Sequence, residues 1–348
     1  MNILFYRHSL LSRGGDKMIV LQANHLATLG HDVCLMTAVL DTVFTLDPRI
    51  SIKMLPSRSK TRTILTAVTS RFDVDLIVAD IVAMVTFLSI RNRGKVICYA
   101  QDYDESYYTA RFHKMLVRVL YFISLRLFRI PTIAVSNPLG DLLSRHFKAD
   151  VRVVENGIDT SKFFPDPDHG LISMKSGRKS VLILSRADRR KGFDLAREVI
   201  NRIAETHAGS IEIWTVGEPN DGFSPGVCHR HLGYVEEFRL RSIMSSADIF
   251  LYPSRHEGYP LMVLESFACR VPVVTTDAVP YAEHGVNSLV SRIEDVESLT
   301  RHLRMLLDDA HLAERLAAAG YLFAQEHSLD SACRLFAESV LNAHDHYH

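Results

Sequence analysis

From Ser254 to Glu265 the chain reads Ser-Arg-His-Glu-Gly-Tyr-Pro-Leu-Met-Val-Leu-Glu, which places two carboxylates, Glu257 and Glu265, on either side of a Gly258-Tyr259-Pro260-Leu261 turn. Carboxylates accept hydrogen bonds from hydroxyls. A helix start offers unpaired N–H groups and the positive end of a dipole to an anion. A ligand that is both phosphorylated and polyhydroxylated suits that combination, and nucleotide sugars form such a class.

A cationic stretch lies upstream, Leu184-Ser185-Arg186-Ala187-Asp188-Arg189-Arg190-Lys191-Gly192-Phe193-Asp194. Arg186 can grip a phosphate with two parallel N–H groups and Lys191 adds a point charge, so together they would neutralise a diphosphate without a metal. Taken alone, the same stretch also reads as a solvated basic loop. Near the start, Gly14-Gly15 precedes a helix expected over residues 18–29. Glycine there permits positive φ and a close approach of backbone to a diphosphate, or simply makes a turn. The GxGxxG dinucleotide signature is absent.

The elements that must position these groups follow from hydrophobic patterning. Residues 247–254 read as a buried strand and 261–268 as an apolar helix, so Glu257 falls on a strand-to-helix turn and Glu265 within the helix. Open parallel sheets bind ligands at that place. Further strands are expected at 3–7, 33–38, 76–79, 96–100, 132–136 and 151–154, then at 181–185, 212–216, 231–234, 249–253, 271–275 and 288–290. Alternation of Val- and Ile-rich runs with helical patterns indicates two sets of parallel strands covered on both faces. Helices are expected over 294–308, 311–326 and 329–344. The turn-rich stretch 157–178, with Phe164-Pro165-Asp166-Pro167, reads as a linker.

With 348 residues and 47% apolar content, the chain can supply two cores. Formal net charge is zero, yet residues 1–155 hold 20 Lys and Arg against 13 Asp and Glu, so +7 on that half balances −7 on the rest. The N-terminal half is therefore the one expected to suit an anionic surface. Within it, Arg111, Lys114, Arg118, Arg126 and Arg129 interleave with Phe112, Met115, Leu116, Val119, Leu120, Tyr121, Phe122 and Phe128. Residues 110–129 read either as a basic amphipathic helix on a membrane surface or, being apolar nearly all round, as a buried helix. Five scattered cysteines fit a reducing, cytoplasmic setting. The start lacks a signal-peptide pattern, and no apolar run is long enough to span a bilayer. The tail His344-Asp345-His346-Tyr347-His348 reads as a frayed end, and no metal site is expected. Trp214 is expected in the core.

In order, Gly14-Gly15, Gly30-His31-Asp32-Val33, Asn156-Gly157-Ile158-Asp159, Arg186 with Lys191-Gly192-Phe193, and Glu257 with Glu265 resemble the signposts of the retaining GT-B glycosyltransferases of family GT4. The resemblance covers most of the chain and is denser in its second half. It implies an α/β, GT-B fold, in which two Rossmann-like, doubly wound domains face each other across a cleft. An acceptor domain would occupy 1–156, the linker 157–178 and a nucleotide-sugar donor domain 179–328. A C-terminal helix at 329–348 would pack back toward the first domain.

By the same resemblance, Arg186 and Lys191 would hold the donor diphosphate, Glu265 the nucleotide ribose and Glu257 the transferred sugar. Gly258, Tyr259, Pro260 and Leu261 would present backbone amides, while Gly217, Tyr234 and Val235 would frame the base. Gly14 and Gly15 would meet the diphosphate from the other domain. Many relatives carry a His after the strand that here runs over 96–100. This chain has Gln101-Asp102 instead, which leaves Asp102 as either a site-lining or a loop-capping carboxylate. The implied activity is metal-independent, retaining transfer of a sugar from a nucleotide sugar to a saccharide or lipid-linked acceptor, with no cofactor and no nucleic-acid partner. It would serve cell-surface polysaccharide or glycolipid assembly, in the cytoplasm or at the inner face of the membrane. Two alternatives are a sugar-nucleotide epimerase of the same architecture, which consumes donor without acceptor, and a non-catalytic membrane-associated scaffold.

Overall fold

The structure, a computed structural model, describes residues 1–220 and 222–347, with side chains through His344. The chain divides into two compact units: Met1–Asn156 together with Asp330–His348, and Gly157–Leu329.

In the first unit the strands are β1 (Asn2–Tyr6), β2 (Ser9–Leu10), β3 (Asp32–Thr37), β4 (Val39–Leu40), β5 (Ser51–Met54), β6 (Leu76–Ala79), β7 (Val96–Ala100), β8 (Thr132–Ala134) and β9 (Val151–Val153). Seven of them form one parallel sheet in the order β5-β3-β1-β6-β7-β8-β9, with β2 and β4 as a separate pair. The central strands are wholly buried, Leu76–Ala79 and Val96–Ala100 along their full length. Residues buried on both sheet faces have no polar alternation, which is why these strands show in the sequence as continuous apolar runs. The edge strand β5, Ser-Ile-Lys-Met, is exposed throughout and has no such run, so patterning does not reveal it.

The covering helices are α1 (Gly14–Thr28), α2 (Lys60–Thr69), α3 (Val82–Arg91), α4 (Arg111–Tyr121) and α5 (Asn137–Phe147). The sequence places the start of α1 four residues too late, because Gly14 and Gly15 are its first turn rather than a loop before it. The expected helix over 110–129 is two pieces, α4 and a π-helical turn Phe122–Leu127. Of its outer face, Phe112, Met115, Leu116, Val119 and Phe122 are exposed and only Val117 and Tyr121 of α4 are buried, so it is not a buried helix.

The second unit repeats the plan with β10 (Lys179–Ser185), β11 (Ile211–Gly217), β12 (Cys228–Gly233), β13 (Ile249–Tyr252), β14 (Val273–Thr276) and β15 (Leu289–Ser291) in the parallel order β12-β11-β10-β13-β14-β15. Its helices are α6 (His169–Met174), α7 (Phe193–His207), α8 (Glu237–Ser246), α9 (Leu261–Ala268), α10 (Val296–Asp308) and α11 (Ala310–Glu326). Asp295 and Asp309 cap α10 and α11 by accepting from Ser298 N and Leu312 N, both at 2.9 Å. Trp214 is fully buried and donates to Glu212 Oε1.

The stretch 157–178 is not a free linker. It carries α6 and is bound into the second unit through Arg241 to Asp166 at 2.7 Å and Arg239 to Asp168 at 2.6 Å. The run Pro165-Asp166-Pro167-Asp168 makes it look like a loop, but Asp166 and Asp168 are the handles by which it packs. The last helix, α12 (Leu329–Tyr347), lies on the first unit, with Phe336 edge-on to Tyr99 at 4.8 Å. Where the chain passes between units, Ile158 and Ser328 form a parallel bridge. A Cβ at Gly157 would lie inside contact distance of the Ser328 carbonyl, so only glycine lets those backbones meet.

Candidate functional site

Neighbouring strands β10 and β13 run parallel with Ile183 opposite Leu251, so the chain leaves both at one edge of the second sheet, just past Ser185 and Tyr252. Two loops emerge there. Arg255 N donates to Arg190 O at 2.7 Å, and Ser254 Oγ lies 2.8 Å from the same carbonyl. Gly192 adopts φ +69° directly under the second loop, where a Cβ would overlap the Pro253 carbonyl. The loop pair is thus held together by backbone, and it places Lys191 beside Glu257.

Lys191 Nζ reaches both oxygens of Glu257 at 2.9 Å. Tyr252 OH and Ser254 Oγ each lie 2.6 Å from Glu257 Oε1. The Glu257 side chain is only 5% exposed, whereas that of Lys191 is 28% exposed. A buried carboxylate needs a paired cation and satisfied lone pairs, and this one has both. Burial first, and then the Glu257 charge, pushes the Tyr252 phenol well above its usual range, so it stays a proton donor to that carboxylate. Lys191 Nζ also lies 3.5 Å from the Tyr252 hydroxyl, and the side chain remains part-exposed, so an incoming anion can approach its positive charge.

Arg186 turns the other way. Its guanidinium stacks 5.1 Å from the Tyr234 ring, with Nη1 3.2 Å from the phenol oxygen and 3.7 Å from Glu218 Oε1. Its partners are thus Tyr234 and Glu218, whereas those of Glu257 are Lys191, Tyr252 and Ser254. Glu218 Oε2 accepts from Ala187 N at 2.6 Å, just past Gly217, whose φ of +109° bends the end of β11. Tyr234 is two-thirds exposed, and Val235 follows it in the loop after β12.

Glu265 is buried within α9, eight positions beyond Glu257. Helix α9 begins after Pro260, an N-cap residue whose own side chain gives no cap to the first amides. The turn before it is pinned by Tyr281, whose hydroxyl donates to the Pro260 carbonyl and whose ring packs 4.5 Å from that of Tyr259. A helix start beside an ammonium favours an anion.

The first unit brings together a different set. Arg7 follows β1, Asp80 follows β6 and Gln101 follows β7, all at one edge of the sheet. Arg7 Nη2 lies 2.6 Å from Asp16 Oδ1 and 3.3 Å from Asp80 Oδ2, while Gln101 Nε2 lies 3.5 Å from Asp80 Oδ2. A Cβ on Gly15 would lie 3.1 Å from Gln101 Oε1, a tight contact. Burial raises the Asp16 carboxyl above its ordinary value. Asp102 Oδ1 accepts from Tyr103 N at 2.7 Å.

Sequence reasoning missed Tyr252 and Ser254 as partners of Glu257, and Arg7, Asp80 and Gln101 as a cluster. A signal was present in both cases. Each is a polar group within two residues of a parallel strand's carboxyl end, where the fold gathers ligands. Among the described residues no group of three or more His, Cys, Asp or Glu is gathered as a metal site, and no helix is long and apolar enough to cross a membrane. The tail beyond His344 lies outside the described side chains.

Residues 178–309 match the family described as glycosyl transferases group 1, and residues 12–162 match Glycosyltransferase Family 4. The O-antigen chain mannosyltransferase B of Escherichia coli is 34% identical over 103 residues, covering 29% of this chain and 27% of that protein. The lipopolysaccharide core biosynthesis glycosyltransferase LpsE of Rhizobium meliloti is 24% identical over 251 residues, covering 68% of this chain and 71% of that protein. Among solved structures, WaaG, a glycosyltransferase involved in lipopolysaccharide biosynthesis, aligns with a TM-score of 0.77 at 15% identity, over 97% of this chain and 99% of WaaG. HepE of Anabaena, solved with UDP-glucose, aligns with a TM-score of 0.76 at 15% identity, over 98% of this chain and 100% of HepE.

Proposed function

Since the chain belongs to the group 1, family 4 glycosyltransferases and has the GT-B fold, we propose that it transfers a sugar from a nucleotide sugar to a saccharide or lipid-linked acceptor, with retention of anomeric configuration. The observation that carries this reading is the Lys191–Glu257 pair at the carboxyl edge of the second sheet, a part-exposed lysine on a buried carboxylate just ahead of a helix that starts after Pro260. The acceptor hydroxyl oxygen bonds to the anomeric carbon as the carbon–oxygen bond to the diphosphate breaks, and the departing phosphate oxygen takes the hydroxyl proton. Lys191 and Arg186 offset the charge that develops on the diphosphate, which is the role a metal would otherwise fill. Glu257 binds the sugar hydroxyls and, through Lys191, fixes the ammonium. Glu265 takes the ribose. Tyr234 and Val235 frame the base with Gly217.

HepE, solved with UDP-glucose, and two relatives named for lipopolysaccharide or O-antigen assembly support a nucleotide-sugar donor and a cell-surface glycan product. The exposed face of α4, apolar and flanked by Arg111, Lys114 and Arg118, supports peripheral contact with an anionic membrane at its cytoplasmic face. Co-sedimentation with phosphatidylglycerol vesicles, and not with phosphatidylcholine vesicles, is the expected result for that part of the reading.

The deciding experiment is a thermal-shift screen across UDP, GDP, dTDP and CMP, followed by product analysis with the matching donor and excess chelator. Stabilisation by one nucleoside diphosphate is expected, with that nucleoside diphosphate released in turnover and the donor's anomeric configuration kept. Consumption of donor with no acceptor would indicate an epimerase, and no shift with any nucleotide would overturn the donor site.

A further inference from the structure

Within the motif that carries Glu257, Arg255 invites assignment as another phosphate ligand, yet its surroundings leave it nothing to give. All five of its guanidinium N–H groups are engaged. Nε donates to Glu294 Oε1 at 2.5 Å, and Nη1 donates to Arg189 O at 2.7 Å and Asp194 Oδ1 at 2.6 Å. Nη2 donates to Asp194 Oδ2 at 2.8 Å and Glu294 Oε2 at 3.1 Å. The side chain is 12% exposed. Two fork-to-fork carboxylate pairs and a carbonyl exhaust the donor inventory of arginine. Hydrogen bonds from Arg255 hold both carboxyls below their usual range.

The partners come from separate parts of the chain. Asp194 is in the first turn of α7, Glu294 is in the turn after β15, and Arg189 is two residues before Lys191. Arg255 N also donates to Arg190 O. One side chain and its own amide therefore fix the loop bearing Lys191 to the loop bearing Glu257, two residues away on each side.

We propose that Arg255 is a positioning residue: it touches no ligand and instead sets the spacing of Lys191 and Glu257 by clamping their two loops to α7 and to the turn at Glu294. Its consequence for ligand binding rests on the nucleotide-sugar reading, while its structural half does not. Lysine cannot replace it, since a point charge lacks the planar five-donor fork. By contrast, removing the ammonium of Lys191 deletes a charge that faces the ligand.

Three variants, Arg255→Lys, Asp194→Asn and Lys191→Ala, separate these roles through two readouts. The first is amide hydrogen exchange of the full chain. Arg255→Lys and Asp194→Asn are expected to speed exchange in 189–192 and 254–257 by about tenfold, with the rest of the second unit unchanged. Equal protection in wild type and both variants would overturn the proposal. The second is the affinity for whichever of UDP, GDP, dTDP or CMP stabilises the wild type, followed against salt. Both clamp variants should bind about tenfold more weakly with the wild-type salt dependence, and Lys191→Ala should flatten it. If Asp194→Asn binds as wild type while Arg255→Lys binds about tenfold more weakly, Arg255 is a phosphate ligand and the proposal fails. If wild type binds none of the four, the donor reading fails, and hydrogen exchange alone decides the clamp.

Discussion

At the carboxyl edge of the second sheet these carboxylates each have a cation in contact: Glu257 has Lys191, Asp188 has Arg190, and Asp194 and Glu294 share Arg255. At the corresponding edge of the first sheet Arg7 likewise serves two aspartates, but Asp104 is buried with no cation in contact among the described residues. A set of paired charges is preorganised: it can meet an anion with little rearrangement, because each cation is already aimed. An excess of carboxylates suits hydroxyl groups. Net charge by half gives the opposite impression, since the +7 half carries the acidic edge and the −7 half the cationic loop. The surplus of the first half resides instead on surfaces such as α4. Charge summed over a domain speaks to steering and surface contact, and charge counted at strand ends speaks to the ligand.

The sharpest way to break this contrast is at the best-compensated pair. Glu257→Ala leaves Lys191 without its carboxylate and removes the acceptor proposed for the sugar, and a fall in turnover of roughly 10²–10³-fold is expected. Steady-state assay with the matching donor measures it, and a few-fold change in a folded variant would remove Glu257 from the site. The equivalent lesion in the first unit, Asp102→Ala, should cost less, because its carboxylate is seen bonding its own neighbour's amide.

A second test targets the backbone that brings the pair together. Gly192→Ala would require a Cβ at φ +69° against the Pro253 carbonyl, and a loss of roughly 2–3 kcal/mol in folding free energy is expected by urea denaturation. A change below about 0.5 kcal/mol, the range of neutral surface substitutions, would show that the loops are not tightly joined. That constraint bears on what sequence alone reveals. Lys191-Gly192-Phe193 and Glu257 to Glu265 were legible because chemistry and backbone geometry are concentrated in short runs, and the buried parallel strands were legible as apolar runs. The Arg7, Asp80 and Gln101 cluster was not, because its members are separated by more than twenty residues each and only strand order gathers them. The packed stretch 157–178 looked like a linker for a related reason: its order comes from Arg239 and Arg241, far along the chain. Arg186 fell between the two cases, placed at the right strand end but with Tyr234 and Glu218, not Glu257, as its partners.

The first unit has its own test in pH. Burial, then the charges of Asp80 and Asp102, raise the Asp104 carboxyl from 3.8 to about 7, despite the hydrogen bond it accepts from Val82 N at 2.7 Å. Between those values the folded state holds a proton that the unfolded state has lost. Stability from this group is therefore complete below about pH 4 and is lost as pH rises through about 7, with a slope of at most about 1.4 kcal/mol per pH unit. Asp104→Asn keeps an acceptor for Val82 N and removes the titration. Denaturation from pH 4 to 8 should show a flatter profile for the variant and a relative gain at pH 8. Parallel profiles would mean that Asp104 is screened, and the first unit would lose its character as the uncompensated edge.

The smallest expected effect lies where the second unit's pairing is loosest. Arg186 is held by a stacked ring and one hydrogen bond to a phenol that is itself largely exposed. Tyr234→Phe removes the hydroxyl and keeps the ring, so the guanidinium should stay in place, with nucleoside diphosphate affinity falling by less than about fivefold, within about 1 kcal/mol. Tyr234→Ala removes both, and the loss should be larger because the arginine must then be ordered by the ligand itself. If the two variants are equally weak, the hydroxyl rather than the stacked face orients Arg186. If neither differs from wild type, Arg186 needs no preorganisation, and the Lys191 loop alone carries the anion-binding character of that sheet edge.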